Sequence, residues 1–350
     1  MPPPVLMDDL VEEVLLRLPP DEPACLVRAS AVCKPWRRIL ACQRFRRRYR
    51  EFHRTPPVLG LFERYGRFVP TCDLFPAKHD RSDWFVTDCR HGRALAIIIK
   101  SLAVFDPITG QRRRVPWPRP VDQLTHFSAA VLCAAQGCDH RSCQGGHFFV
   151  AFVTTRKEVS LGWLYSSETR VWSNLTPVHH PNVKSTSAIA VHSVLLGDAI
   201  YFNTDSIIEC QLGTRCLSMF EKPINDSGCL MVAEDGRLGF AAVVDDTDLT
   251  LWFREAGAGP EGDIVWEKHR VIDLTLLLPD GALSIPTFED GVSGIAEGTQ
   301  VIFVSTCVGS YMVDLKSRQV RMVSRPCKRI FPYMSFYIPA MEAACTGQGQ

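Results

Sequence analysis

A short polar turn recurs along most of the chain, and its spacing restricts the possible folds more than any other feature. An apolar residue is followed by a polar turn residue and, three positions later, by Thr or Ser. It occurs as FDPITG with Asp106 and Thr109, as YSSETR with Ser166 and Thr169, as CQLGTR with Gln211 and Thr214, and as VDLKSR with Asp314 and Ser317. A polar pair at this spacing suits a tight hairpin, because such side chains hydrogen-bond the amides of the turn. LWFREAGAGPEGDIVW, residues 251–266, has the same outline with a longer loop. With Arg254 marking that turn, the successive intervals are 60, 45, 43 and 60 residues. Repeats of about 40–50 residues that carry several strands each imply propeller blades.

The intervening sequence has a matching texture. RALAIII (93–99), HFFVAFV (147–153), AIYFNT (199–204), GFAAVV (239–244) and QVIFVST (300–306) alternate with Gly, Asp, Ser and Pro turns, with no long helical period. A first unit begins at PVLGLFERYGRFV and a second at WFVTDCRHGRALAIII, while YMSFYI (333–338) is placed to close a ring against the first strand. The expectation is an α+β multidomain chain whose residues 58–340 form an all-β propeller of about six irregular blades. A β-sandwich is the runner-up, and residues 341–350 are expected to be a disordered tail.

The first fifty residues follow a different period. DLVEEVLLRL (9–18) places Leu10, Val14, Leu15 and Leu18 at helical spacing, and Asp9 with Glu12 forms a capping-box pattern. Pro19-Pro20 ends that helix. Asp21 can cap a second helix with Pro23 in its first turn and Leu26, Val27, Ala29, Val32 and Cys33 as apolar positions. Pro35 starts a third, short helix with Trp36, Ile39 and Leu40. QRFRRRYREF then puts Phe45, Tyr49 and Phe52 on one stripe, with five Arg on the opposite, solvated face. Between Val5 and Leu40, 20 of 36 residues are apolar. So short a helical segment cannot enclose that much apolar side chain alone, so the excess must meet the following domain or another protein. A Pro-containing linker at 53–57 separates this module, residues 5–52, from the strands.

LMDDLVEEVLLRLPPDEPACLVRASAVCKPWRRIL resembles the F-box, the helical motif that docks onto the Skp-family adaptor of cullin-RING ubiquitin ligases. The Leu-rich first helix, the Leu-Pro-Pro break and Val-Cys-Lys-x-Trp carry the likeness; Leu6-Met7 stands where the family usually has Leu-Pro. The resemblance implies that Leu6, Met7, Leu10, Val14, Leu18, Leu26, Val32 and Cys33 meet the adaptor or support that surface. It implies too that Trp36 and Ile39 lock the third helix between module and adaptor, with Trp36 an anchor of a two-protein core. DCRHGRAL, VFDPITG and LYSSETRVWS resemble the propeller-like associated domain of plant F-box proteins, especially those of grasses. The implied function is a substrate-recruiting, non-catalytic subunit of a Skp–cullin–F-box ubiquitin ligase. Its substrate is an unknown protein, it needs no cofactor, and its location is cytoplasmic or nuclear.

Other chemistries find less support. The formal net charge is +1, and residues 1–60 carry 11 Lys and Arg against 7 Asp and Glu. RFRRRYR could meet nucleic acid, but no second basic, aromatic-rich patch follows to complete a footprint. The longest apolar run, Ala129 to Ala135, is far short of the about 20 residues a spanning helix needs, and MPPPVLMDDL lacks the basic start of a secretory signal. No membrane partner is expected. The 14 Cys, without a C-x-x-C pair, read as small apolar residues of a reducing compartment. CAAQGCDHRSCQGGHF gathers Cys133, Cys138, His140, Cys143 and His147, but its C-x4-C-x4-C spacing departs from the usual zinc knuckle. A glycine-rich loop with no metal is therefore the expectation. DDTD (245–248) lacks the pattern of a calcium loop and reads as a solvated turn. No phosphate loop, nucleophile elbow or HExxH motif occurs, and His91 and His192 have no evident catalytic partner. A propeller enzyme with a helical extension is the alternative reading.

Overall fold

The structure, a computed structural model, describes residues 7–72, 84–99, 101–119, 127–135, 137, 138, 140, 143, 146–156, 158–179, 192–225, 227–256, 264–283 and 291–336. Leu6, residues 337–340 of the expected propeller and the expected tail, 341–350, lie outside the described residues.

Four helices come first: α1 (Asp8–Leu16), α2 (Pro23–Val32), α3 (Lys34–Ala41) and α4 (Gln43–His53). Prolines set the starts of two of them. Pro23 opens α2, and Pro35 lies in the first turn of α3, where its missing amide costs nothing. The expected caps do not form. Met7 and Glu22, not Asp9 and Asp21, occupy the N-cap positions, without side-chain hydrogen bonds, and Glu12 of the expected capping box pairs instead with Arg48, which also binds Glu13 at 2.5 Å. Of the aromatic stripe on α4, Phe45 and Tyr49 are buried while Phe52 is exposed, since the stripe drifts off the core by the last turn. The helices share a core of Val11, Leu15, Leu16, Leu26, Ala29, Leu40, Phe45 and Tyr49, completed by Phe336 from the far end of the chain. Tyr49 Oη donates to the Leu18 carbonyl at 2.8 Å.

The rest is all β. A first hairpin, β1 (Val58–Glu63) and β2 (Phe68–Pro70), precedes five blades. Blade one is β3 (Phe85–Arg90), β4 (Arg93–Ile98), β5 (Ser101–Phe105) and β6 (Arg112–Pro116). Blade two is β7 (Phe127–Cys133), β8 (Phe148–Arg156), β9 (Val159–Ser166) and β10 (Val171–Asn174), with β11 (Val178–His179) also paired to β9. Blade three is β12 (Ser193–Leu196), β13 (Ala199–Asn203), β14 (Ile207–Gln211) and β15 (Cys216–Phe220). Blade four is β16 (Cys229–Val232), β17 (Leu238–Val244), β18 (Asp248–Ala256) and β19 (Ile264–Asp273). Blade five is β20 (Gly291–Ile295), β21 (Val301–Ser305), β22 (Ser310–Asp314) and β23 (Val320–Ser324). The last strand, β24 (Ile330–Met334), pairs antiparallel with β1, from Val58–Met334 to Glu63–Ile330, and completes a sixth blade. The closing strand thus lies slightly upstream of the expected YMSFYI, with the Ser335 amide still bonded to the Pro57 carbonyl at 3.2 Å. Closure covers the blade faces that an open six-sheet array would otherwise expose, and leaves only short outer edge strands.

The recurring turn joins the third and fourth strands of the blades. Asp106 Oδ1 accepts the amides of Ile108 and Thr109 at 2.8 and 3.3 Å, and Asp314 Oδ1 accepts those of Lys316 and Ser317 at 2.8 and 2.9 Å. Ser166 does the same more weakly, at 3.3 and 3.4 Å. Gln211 does not, for its amide nitrogen donates to Glu209 instead. The five apolar runs are second strands of the blades, β4, β8, β13, β17 and β21. They read as continuous apolar sequence because neighbouring blades cover both of their faces. Six apolar clusters fill the six gaps between blades.

Candidate functional site

Two places concentrate chemistry: the outer face of the helices and the axis of the propeller. Helix α1 is apolar on two sides. Val11, Leu15 and Leu16 enter the helical core, while Met7, Leu10 and Val14 face outward and are 67%, 52% and 58% exposed. Val32, at the end of α2, is 63% exposed. Leu18, Trp36 and Ile39 pack half-buried against the edge of the helical core, and Cys33 is half-buried in the extended residue between α2 and α3. Leu26 is fully buried, so it can act only from beneath that surface. The residue that sequence reasoning missed is Phe336. Its ring meets Tyr49 edge-on at 6.2 Å, and only its aromatic character, well outside the helical segment, could have signalled it.

At the axis, the first strands of the blades touch in turn, β24 to β3, β3 to β7, β12 to β16, β16 to β20 and β20 to β24. A cavity of about 330 Å³ opens where these strands turn toward their second strands. Arg54 to Pro56 of the linker and Phe336 border the same cavity, so the helices join the propeller at this end. Arg90 crosses the axis. It donates to Asp88 at 2.9 Å, to Glu297 at 2.6 Å and to the Ser193 carbonyl at 2.8 Å. Asp88 also accepts the Val131 amide at 2.8 Å, and Glu297 the Leu195 amide at 3.0 Å. One guanidinium therefore ties blades one, two, three and five together. Burial raises the Asp88 carboxyl to about 6, against the pull of Arg90 and the Val131 amide.

Both histidines singled out in the sequence line this cavity. Burial lowers His192 to about 4, with the Arg329 charge adding to the effect, and its Nε2 lies 2.8 Å from the Ser293 carbonyl. His91 is lowered to about 2 by burial, followed by the charge of Arg90. His91 and Gly92 both take positive φ, 55° and 71°, which makes the two-residue β3–β4 hairpin. The acidic turn DDTD also uses positive φ, at Asp245 and Asp246, as a solvated hairpin turn does.

The β7–β8 loop reaches the same cavity through His140 and Cys143. Here the fold does what the C-x4-C-x4-C spacing did not lead one to expect. Ligand atoms of Cys133, Cys138, His140 and Cys143 all lie within 4.8 Å of one another, while His147 stands outside the group and is exposed. His140 divides the second Cys interval into short steps, Cys138-x-His140-x2-Cys143, and that mixed spacing was the signal available in the sequence. Arg93 of β4 holds the loop by donating to the Cys143 and Gly146 carbonyls at 2.6 and 2.9 Å.

Comparison with known proteins adds the following. Residues 6–48 match the F-box domain family. No curated protein matches the chain. Among solved structures, TolB from Acinetobacter baumannii is similar over 81% of this chain and 68% of its own, at 12% identity and a TM-score of 0.40. The WD40 domain of SCAP from fission yeast is similar over 70% of this chain and 56% of its own, at 14% identity and a TM-score of 0.38. The tricorn protease is similar over 69% of this chain, at 13% identity and a TM-score of 0.37, and the chain spans only 22% of its length. The four-helix segment is thereby identified as an F-box domain, joined in this chain to a six-bladed β-propeller.

Proposed function

We propose that this protein is the substrate-recruiting subunit of a Skp–cullin–F-box ubiquitin ligase, of the plant type with a propeller-like associated domain. The observation that carries the reading is the second, uncovered apolar side of α1 within an F-box domain, formed by Met7, Leu10 and Val14 and continued by Val32. Covering the exposed part of these side chains is worth roughly 1–2 kcal/mol each before the costs of association, which favours a partner over water. Leu6, Met7, Leu10, Val14 and Val32 make the contact with the Skp-family adaptor, Trp36, Ile39, Leu18 and Cys33 form its half-buried margin, and Leu26 supports it from below. The propeller holds a target protein. The subunit performs no chemistry itself. It raises the effective concentration of a substrate lysine near the ubiquitin-charged enzyme, and the ligase complex marks the target for proteasomal degradation in the cytoplasm or nucleus.

The test is calorimetric titration of a Skp-family adaptor into the full chain and into the Leu10→Asp/Val14→Asp variant. Both sites are exposed, so the fold survives the exchange. Loss of two apolar contacts, replaced by buried charge, lowers affinity at least about 100-fold. Equal affinity for the two proteins, or no binding by the wild type, refutes the proposal.

A further inference from the structure

We propose that Cys133, Cys138, His140 and Cys143 bind one structural zinc ion that pins the β7–β8 loop at the mouth of the propeller's axial cavity. Three thiols and an imidazole form a Cys3His donor set, one of the closed sets that hold structural zinc and leave no position for a substrate. Tetrahedral zinc places sulfur at about 2.3 Å and nitrogen at about 2.0–2.1 Å, so donors around it stand about 3.4–3.8 Å apart. The four ligand atoms, all within 4.8 Å of one another, reach that arrangement by closing about 1 Å, a side-chain adjustment that leaves the backbone in place.

The surroundings are built to hold these ligands. Cys133 is the last residue of β7, so one ligand stands on the rigid inner strand of blade two. Its sulfur accepts the Ala135 amide at 3.4 Å, the kind of outer hydrogen bond that tunes a metal thiolate. The ring of His91, fixed in the β3–β4 hairpin, stacks on His140 at 4.0 Å and 11° and sets the plane of that imidazole. Arg93 grips the carbonyl of Cys143 from blade one. Ligands therefore come from blade two and are oriented from blade one, and the metal fixes the two together. The loop has little apolar side chain of its own. Gly137, Gly145 and Gly146 raise the entropy lost on ordering it, and metal binding offsets a loss of that kind. Binding releases the thiol protons and involves no oxidation.

The experiment uses the full chain, purified under reducing conditions. Elemental analysis should give about one zinc per chain. After removal of zinc with a chelator, titration with Co²⁺ should produce thiolate charge-transfer absorption and the intense visible bands of tetrahedral cobalt, saturating at about one equivalent. Thiol titration should then show about three fewer reactive Cys in the metal-bound chain than in the stripped one. Cys138→Ser/Cys143→Ser should abolish the cobalt bands, and His140→Cys should keep binding while strengthening the charge-transfer absorption. Should the double Ser variant fail to fold, the wild-type cobalt spectrum decides alone. Folded, reduced wild type with neither zinc nor cobalt bands overturns the proposal. So does retention of one zinc by the folded double Ser variant, or a disulfide among Cys133, Cys138 and Cys143 that persists under the same reducing conditions.

Discussion

Replacing Arg90 by Met keeps most of its length and removes its charge and its hydrogen bonds to Asp88, Glu297 and Ser193. The two abandoned carboxylates differ in what happens next. Glu297 is 31% exposed and can turn toward water, and it keeps the Leu195 amide. Asp88 is 6% exposed and retains only backbone amides, so the penalty falls on Asp88. Breaking a buried ion pair from one side costs about 3–5 kcal/mol, which for a domain of this size lowers Tm by roughly 5–9 °C. The cost depends on pH. With Arg90 in place the Asp88 carboxyl is already raised, to about 6, from an unfolded value near 3.8. A raised carboxyl favours the folded state at low pH and destabilises it as pH rises from the unfolded value through the folded one. Removing Arg90 raises Asp88 further, so the difference between variant and wild type should be small at pH 5 and grow as the pH rises to 8. Six of the seven Trp lie in the propeller, so urea unfolding followed by Trp fluorescence reads the relevant transition. A loss under about 1 kcal/mol at pH 8, or the same loss at both pH values, would refute the assignment of Arg90 as the axial tie. Asp88→Asn added to Arg90→Met should restore part of the loss.

Two further outcomes follow from the same geometry. His192 is lowered to about 4 from an ordinary value of 6.5, so its contribution to stability is whole above pH 6.5 and is lost as pH falls toward 4. His192→Gln should remove that share, at most about 3 kcal/mol, from the acid sensitivity of the propeller, measured as unfolding midpoints between pH 7 and 4.5; an unchanged pH profile would count against it. Phe336→Ala should cost roughly 3 kcal/mol at the junction of helices and propeller. Amide exchange in α4 should rise at least about tenfold while β8 and β17 stay protected, and equal exchange throughout would show that Phe336 is not the tie.

The propeller was readable because its repeat lies in side-chain chemistry as well as hydrophobicity. Asp106 and Asp314 bond turn amides in the folded chain as their spacing implied, and the apolar runs became second strands because both of their faces are covered. Local rules failed where another partner, distant for Glu12 and a strand neighbour for Gln211, competed for the same groups. Glu12 left its cap for Arg48, and Gln211 left its turn for Glu209. Long-range pairings left no local trace at all. Nothing near DCRHGRAL announces that Arg90 will meet Glu297, or that His91 will stack on His140. The Cys/His group was legible in composition and obscured by counting sulfur spacings alone, since the loop bends at His140 to bring the ligands together.

The last described residues do two jobs within a short span. Strand β24 closes the ring against β1, and two residues beyond it Phe336 enters the helical core beside Tyr49. On the other side of the same junction α4 ends at His53, whose Nε2 lies 2.8 Å from the Leu16 carbonyl, and β1 begins at Val58. The strand that seals the propeller and the strand that leaves the helices are therefore paired partners. Ring closure brings the side chain that completes the helical core to its place, so seating of the helices and sealing of the sheet are coupled through one hairpin-like contact. A recruiting subunit that acts by position needs such a joint. Effective concentration falls when the connection between two binding modules is slack, and in the proposed recruiting role an apolar, hydrogen-bonded junction serves by keeping the span between the F-box surface and the propeller fixed.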